Sequence, residues 1–302
     1  ATINEQVGPI IEKVYQEKPT IVAASMWLFN HEALMHLCAR IKALLPQVII
    51  ALGGPEFLGD NETFLRNNPF VSCVFRGEGE EVFPQWLASY ESTEQWASIH
   101  GMCFVDARNK YRDNGKAVVM NFDRLTPPEE SEFFNWGKPF VQLETTRGCF
   151  NTCAFCVSGG EKPVRTLSIE QIKQRLDLIH KHGIKDVRLL DRTFNYNMHR
   201  AKALLQLFKE YAPHMRFHLE IHPALLTEEL KQELATLPTG LLHLEAGIQS
   251  LREEVLTISQ RKGGLENALQ GLSYLCSLPN MVTHADLIAG LQGQSYSGCR
   301  YM

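Results

Sequence analysis

The 302-residue chain has no run of 18 apolar residues, which excludes a hydrophobic membrane-spanning helix. Positive charge is not in excess either: Lys and Arg number 30 against 34 Asp and Glu, for a net charge of −4. That balance argues against a broad nucleic-acid footprint. The first residues, Ala-Thr-Ile-Asn-Glu-Gln, carry neither a basic flank nor an apolar h-region, so no secretory signal is visible. A cytoplasmic protein is expected, with neither nucleic acid nor membrane as partner. In that compartment eight cysteines read as ligands and core thiols, not disulfides. Cys38, Cys73, Cys103 and Cys276 sit on apolar stretches and are expected to be inert core, while Cys299 has no assignment.

A fourth cysteine is also missing beside the run Cys149-Phe150-Asn151-Thr152-Cys153-Ala154-Phe155-Cys156. Tetrahedral zinc normally takes four Cys or His, so a zinc site here would be one ligand short. Three ordinary buried thiols are the other plain reading. The C-x3-C-x2-C spacing, with Phe155 before the last cysteine, suits a 4Fe–4S cluster held by three thiolates with its fourth iron left open.

The context of that loop is a strand before it and a helix after it. Val141 to Thr145 alternates and runs into Thr146-Arg147-Gly148, so the cysteines leave the C-terminal end of a strand, where barrel chemistry sits. Ser168 with Gln171 reads as a capping box, Ile169, Ile172, Leu176 and Ile179 recur at helical spacing, and Gly183 closes the helix. Strands at 187–191, 216–221, 241–247 and 281–287 then alternate with helices at 198–211, after the Thr227 cap, after a second capping box (Ser250 and Glu253), and at 264–277. Five strands alternating with helices imply a parallel sheet curled into an open barrel.

Ahead of this lies a different unit. Strands at 20–25, 48–52 and 70–75 end in Ser25 to Asn30, in Gly53-Gly54-Pro55-Glu56, and in Arg76-Gly77-Glu78-Gly79-Glu80. Such loops occupy the ligand-binding edge of open α/β sheets, although each alone also fits a simple turn. Between the units, Met102 to Val105 and Ala117 to Met120 flank Asn114-Gly115, a hairpin signal. Residues 121–139, with Pro127-Pro128, read as a linker.

The cysteine spacing resembles the radical S-adenosylmethionine (SAM) superfamily. Ser25 and Trp27 after the first strand, Gly53 to Glu56, and Arg76 to Glu80 are similar to the cobalamin-binding domain of its class B enzymes. Asp191-Arg192-Thr193-Phe194-Asn195, Gly247-Ile248-Gln249-Ser250 and Asp286-Leu287-Ile288-Ala289-Gly290-Leu291 resemble an uncharacterised branch of that class. The resemblance implies an α/β chain. Residues 1–100 would be a flavodoxin-like (Rossmann-type) cobalamin-binding domain with its first strand absent, 101–140 a hairpin and linker, and 141–291 a partial (β/α)6 barrel about one unit short. Residues 292–302 would be a tail of uncertain origin.

Three cofactors are implied: a 4Fe–4S cluster on Cys149, Cys153 and Cys156, SAM, and cobalamin. Cobalamin is assigned to Ser25, Trp27, Phe29, Gly53, Gly54, Pro55, Glu56, Arg76, Gly77, Glu78 and Gly79. No Asp-x-His-x-x-Gly occurs, so no lower-axial histidine is expected. SAM is assigned to Phe155, Asp191, Arg192, Thr193, Glu220 and Gln249. A helix cap for Asp191 and an internal ion pair for Glu220 remain open. Tyr196 is a candidate hydrogen donor, and His218, His222, His243 and Glu245 are candidate lining groups or satisfied core residues. The implied activity is methyl transfer to an unactivated carbon or phosphorus of a small molecule or peptide, through a 5′-deoxyadenosyl radical and methylcobalamin. An electron donor such as flavodoxin or ferredoxin would serve it. A rearrangement, cyclisation or ring contraction without methyl transfer is the alternative, and a non-catalytic sensor a further one.

Overall fold

The computed structural model describes residues 6–295, so Cys299 lies outside the described residues. The chain divides between Met120 and Asn121 into two compact units. The first begins with α1 (Val7–Glu17) and continues with β1 (Ile21–Ser25), α2 (His31–Leu44), β2 (Ile49–Gly53), α3 (Glu62–Asn67) and β3 (Cys73–Phe75). Then come α4 (Val82–Leu87), α5 (Thr93–Trp96), β4 (Met102–Val105) and β5 (Tyr111–Asp113). The sheet runs in sequence order, β1 to β5, with β1, β2 and β3 parallel and β4 and β5 antiparallel.

Its central strands are apolar throughout because both faces are covered. Ile50, Leu52 and Val74 pack with Ile11, Leu34, Cys38, Ile41 and Leu65, whereas Ala51, Cys73 and Phe75 pack with Val82, Trp86 and Trp96. Burial pushes the Cys38 thiol up to about 11 and the Cys73 thiol up as well, which keeps both inert.

Two expectations fail here. Asn114-Gly115 does not close the hairpin: β4 pairs with β5, and the turn between them is built by Asp106, whose Oδ1 accepts from Arg108 N and Lys110 N at 2.9 Å each. Asn114 instead donates through Nδ2 to the Trp96 and Ile99 carbonyls, both at 2.8 Å. An Asx turn on one aspartate satisfies the backbone as well as an Asn-Gly pair does. The hairpin therefore widens the first sheet. Cys276 is exposed, one residue past the buried Leu275 on the same helix, and so is no core thiol.

The second unit runs β6 (Phe140–Leu143), β7 (Thr146–Arg147), β8 (Arg165–Thr166), α6 (Ile169–Lys181), β9 (Asp186–Leu189), α7 (Met198–Lys209) and β10 (Arg216–Ile221). It closes with α8 (Glu228–Ala235), β11 (Leu242–Gln249), α9 (Glu253–Ile258), α10 (Leu265–Ser277) and β12 (Val282–Leu287). Five parallel strands lie in the order β12-β11-β10-β9-β6. Alternate residues of β10 and β11 (Phe217, Leu219, Ile221; Leu242, Leu244, Ala246) are buried, and Phe217 stacks on Phe208 of α7 at 4.0 Å between ring centroids.

The caps at Ser168 and Thr227 form, with Gln171 N donating to Ser168 Oγ at 3.3 Å and Leu230 N to Thr227 Oγ1 at 3.2 Å. The Ser250 capping box does not. α9 starts after Arg252, and Ser250 Oγ accepts from Arg252 N at 3.2 Å to hold a turn before the helix. In the former linker Glu129 is buried and takes a two-bond contact from Arg175 of α6 at 2.8 and 3.0 Å. That pair fastens residues 128–130 to the second unit.

Candidate functional site

The three cysteines occupy a loop strung between β7 and β8, which pair antiparallel and close it at the neck. Inside it the backbone is folded on itself: Cys149 N donates to Glu161 O at 2.9 Å, Gly159 N to Cys156 O at 2.9 Å, and Gly160 N to Asn151 O at 2.7 Å. Gly159 permits this, because a Cβ there would lie 2.5 Å from the Cys153 carbonyl oxygen. All three thiols are free; Cys153 is buried, while Cys149 and Cys156 are partly exposed. Burial raises the Cys153 thiol, and Arg261 opposes that by charge and a hydrogen bond, with Cys149 and Cys156 near enough to add to the rise. Three mutually sensed thiols beside a guanidinium fit the donor set of a three-thiolate iron–sulfur site. Phe155, beside the last cysteine, is exposed.

A second loop braces the first. Ala154 N donates to Ser259 O at 3.0 Å, and Lys262 N to Asn151 Oδ1 at 3.2 Å. Arg261, between those two contacts, also donates to Gly247 O at 2.6 Å. It thereby ties the cysteine loop to the C-terminal end of β11. Sequence reasoning missed Arg261; the only signal was a basic pair before Gly263-Gly264, which resembles any surface turn.

Arg261 also lines an open polar cavity of about 70 Å³ at the strand ends, with Arg192, Thr193, Glu220, His222, Glu245, Gln249 and Asp286 around it. Four residues assigned to SAM from the sequence (Arg192, Thr193, Glu220 and Gln249) meet there. Burial raises the Glu220 carboxyl, and Arg192 counters it. His222 is buried with neither ring nitrogen hydrogen-bonded, and its pKa falls to about 4, first from burial and then from Arg261.

Asp191 lies apart from that cavity lining. It is buried, and its carboxylate accepts from Thr145 N at 2.7 Å, from Thr146 N at 2.9 Å and from the Thr145 hydroxyl. Burial raises its carboxyl while those donors hold it down. Asp191 thus clasps the turn that launches the cysteine loop, and its oxygens are already engaged. Asn195 plays a comparable part, donating to His222 O at 3.0 Å and accepting from His222 N at 2.8 Å. Tyr196 is half-buried, its hydroxyl pKa raised by burial against the opposing charge of Arg200.

Deeper along the strands, the face turned away from the helices carries His218, His243 and His284 with Glu245. Burial comes first in lowering His218 and His243, followed by their neighbouring imidazoles. A hydrogen bond with Asp286, then burial, push the Glu245 carboxyl up to about 7.

In the first unit the residues assigned to cobalamin lie at the C-terminal ends of three adjacent parallel strands, with Ser25 paired to Gly53. Asn30 fixes the first loop, accepting from Trp27 N at 2.8 Å and donating to Ser25 O at 3.0 Å. Trp27 and Phe29 are exposed and stacked, 6.0 Å apart. Gly54 has φ +109°, and a Cβ there would lie 2.4 Å from Met26 O, so the fold itself requires glycine. Gly77 is similarly placed against Ala117 O at 2.3 Å. Arg76 and Glu78 are engaged within the unit: Arg76 Nη1 pairs with Asp113 at 2.7 Å, and Glu78 Oε2 accepts from Val119 N at 2.6 Å. Gly53, Pro55 and Gly79 are partly exposed, and Glu56 is exposed.

Comparison with known proteins gives each unit a counterpart. The B12 binding domain model matches residues 3–87 and the Radical SAM superfamily model residues 143–299. An uncharacterised methyltransferase of Pyrococcus horikoshii, PH0819, is 26% identical over 203 residues, 65% of this chain and 44% of that protein. The cobalamin-dependent radical SAM methyltransferase TokK of Streptomyces tokunonensis is 24% identical over 213 residues, 64% of this chain and 29% of that one. The chain thus spans less than half the length of these relatives. The structure of the radical SAM methyltransferase TsrM from Kitasatospora setae, with tryptophan and a SAM analogue bound, superposes with a TM-score of 0.76 at 15% identity, covering 97% of this chain and 62% of that one. Its likeness carries the fold. The Radical SAM match alone spans more than half of the sequence, and it falls on the cysteine loop and the parallel sheet described above. The chain belongs to the radical SAM superfamily, with a B12 binding domain ahead of its radical SAM sheet.

Proposed function

We propose that the protein is a cobalamin-dependent radical SAM methyltransferase acting on an unactivated carbon or phosphorus of a small molecule or peptide, supplied with electrons by a flavodoxin- or ferredoxin-type donor. One observation carries this reading: Arg261 joins the three-cysteine loop to a charged cavity at the strand ends. Cys149, Cys153 and Cys156 would hold a 4Fe–4S cluster, and the strand-end loops of the first unit would hold a corrin. When bound, the cluster supplies the electron that cleaves SAM and the corrin carries the methyl group.

The chain's own residues would do the positioning. Glu220 and Gln249 offer acceptors to the hydroxyl and amino groups of a SAM molecule, and Arg192 or Arg261 a cation to its carboxylate. His222, buried and unbonded at the cavity wall, offers a neutral imidazole that excludes bulk water and can take or give one hydrogen bond. Among the described residues no helix is long and apolar enough to cross a membrane.

The test is anaerobic turnover with methyl-labelled SAM, cobalamin and a strong reductant in cell extract. Formation of 5′-deoxyadenosine together with label in a new product supports the proposal. 5′-Deoxyadenosine without label transfer points to a rearrangement, and absence of both points to a sensor.

A further inference from the structure

Three neighbouring strands repeat one pattern, His-x-acid: His218-Leu219-Glu220, His243-Leu244-Glu245 and His284-Ala285-Asp286. The strand period of two places each histidine and its acid on one face. Register then decides what meets what. β10 and β11 are in step, so His218 lies beside His243 and Glu220 beside Glu245. β12 is offset by two residues, which sets His284, not Asp286, beside Glu245. Imidazoles therefore approach one carboxylate oxygen from both sides. His218 Nε2 is 3.3 Å and His284 Nε2 3.6 Å from Glu245 Oε2. The donor atoms of the three residues lie within 4.8 Å of one another. Ligands bound at 2.0–2.2 Å around one ion stand about 3 to 3.5 Å apart, so modest side-chain rotation closes the group.

We propose that His218, His284 and Glu245 form a divalent transition-metal site, separate from the cysteine loop. The proposal does not rest on the methyltransferase reading. Two further observations favour an ion over a plain polar network. His218 Nε2 is buried 3.3 Å from Glu245 Oε2 yet makes no hydrogen bond, so this nitrogen is left without a hydrogen-bond partner beside the group. His243 Nε2 lies 2.9 Å from His284 Nδ1, which pins one nitrogen of His284 and turns Nε2 toward the centre, the usual support for a ligating histidine. Two imidazoles and one carboxylate suit zinc, iron(II) or cobalt, not magnesium or calcium.

Glu245 also lines the cavity at the strand ends, together with Glu220 and Asp286. Three protein ligands leave coordination positions for an outside group. An ion held there would turn an acid-lined wall into one that attracts anionic oxygen. The ligand class is accordingly a small molecule with a carboxylate or phosphate that binds the ion from the cavity.

The experiment uses the full chain with Cys149→Ser, Cys153→Ser and Cys156→Ser, so that thiolates do not compete, titrated anaerobically with Co2+. One equivalent should bind with visible ligand-field bands and no thiolate charge transfer. In that background His284→Ala and Glu245→Gln should abolish binding, His243→Ala should weaken it about 10- to 100-fold, and His199→Ala, an exposed site on α7, should leave it unchanged. Circular dichroism checks folding, and the nearly isosteric Glu245→Gln keeps the test decisive where His284→Ala does not fold. Absence of stoichiometric Co2+, or equal affinity in Glu245→Gln and its parent, overturns the site.

Discussion

At the ends of β1 to β3 the chain displays apolar surface: Trp27, Leu28 and Phe29 are 45%, 82% and 70% exposed on one short loop. At the ends of β9 to β12 it gathers charge around a cavity instead, with Arg192, Glu220, Arg261 and Asp286 facing one space. Both edges are built from parallel strands, so topology does not set the difference. The side chains that follow each strand do. A stacked aromatic pair on a pinned loop suits a broad, flat ligand, whereas paired cations and acids suit a small zwitterion. If this contrast is correct, changes at the two edges should separate cleanly in what they bind.

The largest separation is expected for iron. Cys149→Ala, Cys153→Ala and Cys156→Ala should each abolish iron and sulfide uptake on anaerobic reconstitution, while Cys276→Ala, at an exposed helix position, should take up the wild-type amount. Iron assay and the visible absorbance of the cluster read the outcome. Wild-type iron in Cys153→Ala would break the comparison at its strongest point.

Next in size is Asp191. Its carboxylate satisfies two buried backbone N–H groups and one hydroxyl at the start of the cysteine loop. Truncation to Ala strands those donors at about 1–3 kcal/mol each, so Asp191→Ala should lower the stability of the second unit by roughly 3 kcal/mol or more. It should also reduce iron loading. Urea unfolding with iron analysis distinguishes this from a direct ligand role, which would cost SAM affinity while leaving stability and iron intact.

This residue shows where the sequence was readable. Strand and helix positions followed from periodicity, which one core face imposes on every strand and helix, and the cysteine loop followed from spacing alone. The partners of Asp191 were not readable. A carboxylate after a strand is equally compatible with ligand, cap or clasp until the neighbouring strand is in place, and Thr145 lies 46 residues away in sequence. Arg261 was hidden for the same reason. Asn114-Gly115 misled because local turn propensity was outbid by Asp106, whose side chain builds a tighter turn a few residues earlier. The β12 offset that brings His284 to Glu245 depends on inter-strand register, which no single strand encodes.

A smaller effect is expected from acid. His222 has a folded pKa of about 4 against an ordinary 6.5, because burial and Arg261 disfavour its charged form. Below pH 6.5 the unfolded chain takes up a proton that the folded chain refuses, so stability falls as pH drops from 6.5 towards 4 and is unaffected above 6.5. At about 1.4 kcal/mol per pH unit this amounts to roughly 3 kcal/mol at the acid end of the window and under 1 kcal/mol at pH 6. His222→Gln should flatten that part of the stability profile of the second unit. An unchanged slope would mean that His222 is solvated and not part of a closed cavity wall.

The smallest expected effect tests the apolar edge. Gly54→Val is a poor probe of corrin binding, because a side chain there collides with Met26 whether or not a ligand is present, and any loss would mix folding with binding. Trp27 and Phe29 are better, since their rings are exposed, stack mainly on each other, and sit on a loop fixed through Asn30. Removing one aromatic from a flat contact costs about 0.5–1.5 kcal/mol beyond its lost area, so Trp27→Ser should weaken cobalamin binding on the order of tenfold. Thermal stability and iron content should stay at the wild-type level. Phe29→Ser should do the same to a lesser degree, and the double variant should fall short of the sum because each ring supports the other. Equal cobalamin affinity in wild type and double variant would show that the exposed aromatics serve another contact, and the corrin would then have to rest on the backbone of Gly53 to Glu56 and Gly77 to Gly79 alone.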